Sequence, residues 1–553
     1  MISVLLIWIY MMATCYIIGY VALWLLAEKQ GYCIKQRSSY LYAGITAVTV
    51  YAQFFSIFYK VGFLANAVLL FICACCAFIF RKEFLKRLHT LRLTITPIKA
   101  GMMVFLFLLF SYGTSTGIIH YDTGLYHAQS IRWIEEYGIV PGLGNLHSRL
   151  AYNSSSFCLS ALYSFGFLGG QSYHCCAGFL GFLLAVTCVE RVSKSRFKKP
   201  HLSDLVRIMG IYYLLIIFDE MISPASDYFM VLSVFYIVIR WLDLLEEKEK
   251  SYLPYALLCV MGVLVVTIKL SGACILLLTM KPMLQMIREK RGKQIILFTG
   301  AGLLTAIPFL IRNVILSGWL VYPFTFIDLF QTDFKIPKGM ADYDSREIQV
   351  WGRGFSDVTR YNDSITKWLP EWAASLDAVN KVFLLMAISG IGLFLCYCLY
   401  AVKNKRKDMQ DVLIVMGTMG VSFLFWLTSA PLIRYGCIYL WVFPTLVWGF
   451  GYLKVSGELD RYKFFMILLI LLGAYKAAAF TAETVRNATG KYLLSQKDYE
   501  NFETIPYEIE GYTFYYPKEG DRTGYEDFPA SPIKAEVFLR GDTIEKGFKV
   551  SDN

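Results

Sequence analysis

The sequence predicts an all-α membrane protein that crosses the bilayer many times. Three observations carry that prediction. Of the 553 residues, 56% are hydrophobic and only 17% are charged, against about 25% charged in soluble chains. Apolar runs recur along most of the length, many near the roughly 20 residues that a hydrocarbon core about 30 Å thick requires. The lysines and arginines gather in short stretches between those runs, where they report topology.

Taken in order, the first run, Ile2–Leu26, is too long for a signal-peptide core. It has no basic start and no small-residue cleavage site, so it reads as a retained helix. The basic stretches at 29–37, 81–87, 191–199, 248–250, 288–293, 403–407 and 454–463 are assigned to the cytoplasmic side. Segments 112–171, 219–227, a tight turn near Lys269, 314–378, 429–435 and the C-terminal tail then fall outside. Segment 153–168 is short and opens with Asn153-Ser154-Ser155-Ser156. Counted as a span it would invert the side of 191–199, so it reads as an in-plane or re-entrant helix at the outer surface. The result is about 14 spans with both termini outside. The tail after Ala482 is polar, with strand-like pieces at 511–516 and 535–539.

The net charge of +11 is spread over these short loops rather than gathered in a patch, so no nucleic-acid partner is expected. The 14 cysteines lie almost all in apolar runs, with no Cys-x-x-Cys pair, and read as small core residues. There is no phosphate-binding glycine loop, dinucleotide fingerprint or His-Glu-x-x-His motif. ATP-driven transport and zinc proteolysis therefore have no support.

The chemistry-bearing candidates are isolated charges at the ends of apolar runs. Asp122, in Tyr121-Asp122-Thr123-Gly124-Leu125-Tyr126-His127, directly follows a span. It reads either as a helix cap or as a general base at the membrane surface. Asp219, Glu220 and Asp227 fall in one short loop. They read as a solvated turn, or as carboxylates for a divalent cation or an acceptor sugar. Lys269 lies between two apolar runs, where a lysine costs about 2.5–3.5 kcal/mol at the centre of a span. Arg312 and Arg434 end two other spans. Three such cations at one depth suit a lipid-linked phosphate, unless each pairs with one of the acids. Trp319, Tyr322, Trp351, Trp368 and Trp372 suit a bilayer interface or the faces of sugar rings.

This arrangement resembles the GT-C superfamily of membrane glycosyltransferases, which take sugar from a polyprenyl-phosphate donor. The features that carry the resemblance are Asp122 in the first large loop, in-plane helices after it, Asp227 or Asp219/Glu220 in the second, and Thr267-Ile268-Lys269. It covers roughly residues 95–330. The strings from Tyr121 to His127, Ile311-Arg312-Asn313 with Ser317-Gly318, and Leu539-Arg540-Gly541-Asp542 are similar to a family of bacterial multispanning proteins found among surface-polysaccharide genes.

The hydropathy pattern predicts membrane helices over 1–94, an outer loop over 331–378, further helices over 379–481 and an extracytoplasmic tail over 482–553, and the resemblance implies a catalytic core over 95–330. It implies a polyprenyl-phosphate-linked sugar as donor, a glycan or lipid as acceptor, and a bacterial inner membrane with the site facing out. It makes Asp122 the base and Asp227 a second catalytic carboxylate. His127, Glu220, Lys269, Arg312 and Arg434 become substrate-binding residues. The pattern departs from that superfamily in its single first-loop acid, which leaves a divalent cation open, and in the three spans before residue 95. Two rivals stand beside it: a polysaccharide polymerase or ligase, and a glycolipid flippase or transporter.

Overall fold

Inside a bilayer each backbone N–H and C=O must be paired within the protein, so apolar runs of spanning length can only become helices or a closed barrel. Here they become helices. A computed structural model describes residues 1–94, 96–195, 201–455 and 459–550. Side chains at 88, 90–94, 190–195, 407–408 and 459–472 lie outside that description. The side chains of the basic stretches at 191–199 and 454–463 therefore fall largely outside the description.

Among the described residues, nine helices are long and apolar enough to cross a membrane, or ten if the bent pair Phe63–Ile79 and Arg81–Arg87 counts as one span. The chain is an all-α, multi-pass membrane protein. Its centre is the helix Ser226–Glu246, whose apolar window is 94% buried against 17% for Ala378–Lys403. The first two helices cross at backbone contact. A Cβ on Gly44 would lie 1.8 Å from the Cys15 carbonyl oxygen, and one on Gly19 would lie 1.8 Å from that of Tyr40. Small residues let spanning helices approach in this way, because burial of apolar side chains gains little in lipid.

The two ends of the bundle differ. At one end charged side chains pair across short loops: Arg87 with Glu28, Lys35 with Glu249, and Arg207 and Arg240 with Asp243. At the other end the longer segments knit together through backbone groups. The Ile118 N–H donates to the Asp219 carbonyl at 2.5 Å, and Ile336 to Ser317 at 2.9 Å. The Trp372 indole N–H donates to the Pro431 carbonyl at 2.9 Å. The tail joins the same end through Lys497 N–H to Ser115 O (2.8 Å), Thr523 N–H to Gly124 O (2.9 Å) and Phe548 N–H to Pro141 O (2.9 Å).

Two expectations change in detail. The segment expected as an in-plane helix at the surface holds the helix Ser155–Leu162, of 8 residues, all buried. It rises only about 12 Å, too short to span, and is held in the interior. The Ser154 hydroxyl donates to the Ile268 carbonyl at 2.9 Å, and that of Thr267 to the Ser155 hydroxyl at 2.9 Å. The aromatic residues expected for sugar rings or the interface are mostly core. Trp319, Tyr322, Trp368 and Trp372 are buried, and only Trp351 is exposed. In the tail, Thr504–Ile509 pairs antiparallel with Tyr512–Pro517. Glu510 and Gly511, both at positive φ, form the two-residue turn that such hairpins favour. The piece expected at 535–539 pairs only as Phe538–Leu539 with Phe548–Lys549.

A candidate active site built on paired carboxylates

The first large loop begins where the helix Pro97–Thr116 ends at Gly117. Only glycine fits there, because a Cβ would lie 2.2 Å from the Asp219 carbonyl oxygen. That contact, with the His120 N–H donating to the Ser223 hydroxyl at 2.7 Å, crosses the first loop over the second. The chain then makes a π-helical turn, Thr123–His127, a wide turn of the kind often found at functional sites. Asp122 precedes that turn, and its side chain makes no capping bond. Asp227 does not cap its helix either, since Ala225 holds that position and no side-chain cap bond is made. The capping alternative for Asp122 is thus not the arrangement the chain adopts.

Both acids turn to Arg434. Its Nη2 donates to Asp122 Oδ2 at 2.7 Å. Its Nε lies 3.1 Å from Asp227 Oδ2 but is not aligned for a hydrogen bond, so that donor is unused. Asp227 also forms an ion pair with Lys269. Lys269 lies in extended backbone between the helix Leu253–Ile268 and the 3₁₀ turns from Leu270 onward. Its ammonium sits 3.5 Å from the centre of the Tyr435 ring. His120 contacts the Arg434 guanidinium. The side chains of Asp122, Arg434 and Lys269 are 22%, 20% and 22% exposed, against 5% for Asp227. Three members of the network are thus open to a ligand, and Asp227 ties them together from beneath.

The electrostatics follow from this packing. Burial pushes the Asp122 carboxyl up, but Arg434, with His127 and His120, outweighs it and holds the group at about 2. Burial and Arg434 move His120 down from the usual imidazole range. Burial brings His127 down to about 3. Both imidazoles are therefore neutral near pH 7.

The remaining candidates lie elsewhere or deeper. His127 is 2% exposed, with Nδ1 against the Thr123 hydroxyl at 3.3 Å and its ring beside Phe157. It backs the loop, below the exposed surface. Glu220 accepts from the Tyr228 hydroxyl, one residue beyond Asp227. Arg312 is 2% exposed. It donates to the Ser56 hydroxyl, to Asn153 Oδ1 at 3.1 Å and to the Gly138 carbonyl at 3.2 Å. The expected convergence of Lys269, Arg312 and Arg434 is thus corrected to Lys269 and Arg434 alone. Arg312 instead crosslinks three segments through neutral oxygens.

Reading the charges singly passed over His120, Ser223 and Tyr435. The first two stand in the two loops already marked, and Tyr435 adjoins Arg434. For a divalent cation the donor set does not fit. Both site carboxylates are taken by cationic side chains, and among the described residues no three His, Cys, Asp or Glu side chains gather as ligands. No curated protein and no solved structure matches the chain. Residues 1–441, which include every member of the ion network, match the family described as Domain of unknown function (DUF8201), and the chain belongs to that family.

Proposed function

We propose that the protein is a GT-C-like glycosyltransferase. It would move a sugar from a polyprenyl-phosphate-linked donor to a glycan or lipid acceptor at the outer face of a bacterial inner membrane. The observation that carries the reading is the partly open network of Asp122, Arg434, Asp227 and Lys269 where the first two large loops meet. It places a carboxylate beside two cations at the end of the spans, where a lipid-linked phosphate would present its sugar. The acceptor oxygen attacks the anomeric carbon, the bond from that carbon to the phosphate oxygen breaks, and the proton passes to Asp122. The leaving phosphate keeps the electron pair, and Arg434 and Lys269 face its charge.

A carboxylate held at about 2 is a weak base, so this reading requires Arg434 to turn from Asp122 to the phosphate. Asp122 then regains basicity toward the ordinary value of about 3.9. The topology that goes with the reading has about 14 spans. It adds the bent pair, Cys176–Ser195, Leu202–Ile216, Leu253–Ile268 and Leu459–Arg486 to the nine long helices. Both termini are then outside.

The test is purified protein in lipid, incubated with radiolabelled polyprenyl-phosphate sugars. Transfer to lipid or glycan is expected, with Asp122→Asn lowering it by a factor on the order of 10² or more in protein whose circular dichroism shows it still folded. Full turnover by that variant removes Asp122 as the base. One observation favours a second reading, a glycolipid transporter. The two cations are already balanced by two carboxylates, as in a network that changes partners when cargo passes. Movement of labelled glycolipid across vesicles without any transfer selects it.

A further inference from the structure

A cavity opens at the end opposite the ion network. It lies between the helices Ile2–Leu26, Ser38–Phe58, Ser226–Glu246, Leu253–Ile268 and Gly292–Ser317, and has a volume of about 240 Å³. That is below the roughly 300–1,000 Å³ of pockets for compact small molecules. Its walls are side chains such as Ala47, Val50, Leu258, Met261 and Leu304. Its mouth is polar, with Lys35, Gln36, Ser39 and Arg240. The slot therefore has one apolar end and one polar end.

Its depth fits one leaflet. Along the helix Ser38–Phe58, Ser39 marks the mouth and Val50 the inner reach. Eleven residues of helix rise about 16 Å, half of a hydrocarbon core about 30 Å thick. The slot is not closed off from lipid, because Leu304, which lines it, is 64% exposed. At the mouth the Lys35 side chain is 59% exposed. Its one ion pair there, to Glu249 at 2.9 Å, is a surface contact of small worth that an anion can replace.

We propose that this slot is a binding site for one anionic phospholipid of the adjacent leaflet. An acyl chain lies between the helices as far as Val50, and the phosphate rests against Lys35. The chain fills a space that only apolar matter occupies without cost. The headgroup adds the attraction that basic residues at a membrane surface exert on anionic lipid. The site is separate from the ion network and does not depend on the transferase reading.

The test uses full-length protein in nanodiscs of phosphatidylglycerol carrying a trace of the same lipid with a diazirine in mid-chain. After irradiation, labelled peptides are identified by mass spectrometry. Labelling should concentrate on peptides containing Val50, Met261 or Leu304, at least fivefold over the lipid-facing helix Ala378–Lys403. Ala47→Phe, which fills the slot, should reduce it at least fivefold. Lys35→Gln, an exposed change that leaves packing intact, should reduce it about threefold in phosphatidylglycerol but not in phosphatidylcholine. Labelling spread evenly over all lipid-facing helices overturns the proposal. So does labelling that survives Ala47→Phe in a variant with wild-type circular dichroism, or that ignores Lys35→Gln.

Discussion

At the scale of the residue, Asp227 has the most to lose. It is 5% exposed and faces both Lys269 and Arg434. Replacing it with asparagine leaves the Lys269 ammonium without its carboxylate and Arg434 with Asp122 alone. Breaking one side of a fully buried pair costs about 3–5 kcal/mol, and partial exposure of both cations sets that as the upper end. Asp227→Asn should therefore lower the denaturation midpoint clearly. The double variant Asp227→Asn/Lys269→Met should recover at least half of the loss, because it also removes one stranded charge. A single variant as stable as the parent would show that water reaches the pair freely. The four charges were legible in the sequence because Asp122, Lys269 and Arg434 each stand alone at the end of an apolar run and Asp227 closes a short acidic loop between two such runs. Their pairing was not, since Arg434 and Asp122 are 312 positions apart. Arg312 carries the same local signal, yet it ends on neutral oxygens. An isolated cation announces a need for partners without saying whether carboxylates or carbonyls will meet it.

At the scale of the element, the tail and the first two helices show different limits of legibility. Of the hairpin at 504–517 only the second strand was marked in the sequence, as the strand-like piece at 511–516; its partner Thr504–Ile509 was not. The docking of the tail could not be read either, because it depends on single backbone bonds such as Thr523 N–H to Gly124 O. His174 sits in that docking. Its Nδ1 lies 2.7 Å from the Ile222 carbonyl, its own N–H donates to Gln496 Oε1 at 3.0 Å, and its ring lies 4.2 Å from that of Tyr499. Burial holds the imidazole down at about 4, with Lys497 acting in the same sense. The docked value is below the free one, so docking stability is complete at pH 7 and is lost as pH falls from about 6.5 toward 4. By pH 5 the loss is about 2 kcal/mol. Glu135, which accepts from Tyr525 and is pushed up by burial, works in the opposite sense, so the variant comparison matters. Amides at 496–502 should lose about 30-fold of hydrogen-exchange protection between pH 7 and 5, corrected for intrinsic rates. His174→Gln should flatten that loss. In the first helix pair, Gly44→Leu should abolish accumulation of folded protein, because its side chain has no space beside the Cys15 backbone. Normal yield in detergent extracts would mean the crossing can open.

At the scale of the whole molecule, the many-span architecture was visible because apolar length and charge position are summed along the chain and survive errors at any one boundary. What sequence could not supply was the assembly of one end. Segments 117–152, 219–227, 314–378 and 429–435 and the tail share a face only because the helices between them run through the bundle. That shared face makes the sidedness testable as a unit. Lysine and arginine in the short loops at the other end predict that end in the cytoplasm and the ion network on the outer side. In a cysteine-free background, single cysteines at Gly339 and Glu519, both exposed at the loop end, and at Lys290 and Lys405, both exposed at the basic end, report the two faces. An impermeant maleimide on intact cells should label positions 339 and 519. Positions 290 and 405 should react only after permeabilisation. Labelling of all four from one side would contradict the division into two ends. The reverse pattern would turn Asp122 and Arg434 toward the cytoplasm, and an outer-leaflet polyprenyl donor could then no longer be the substrate.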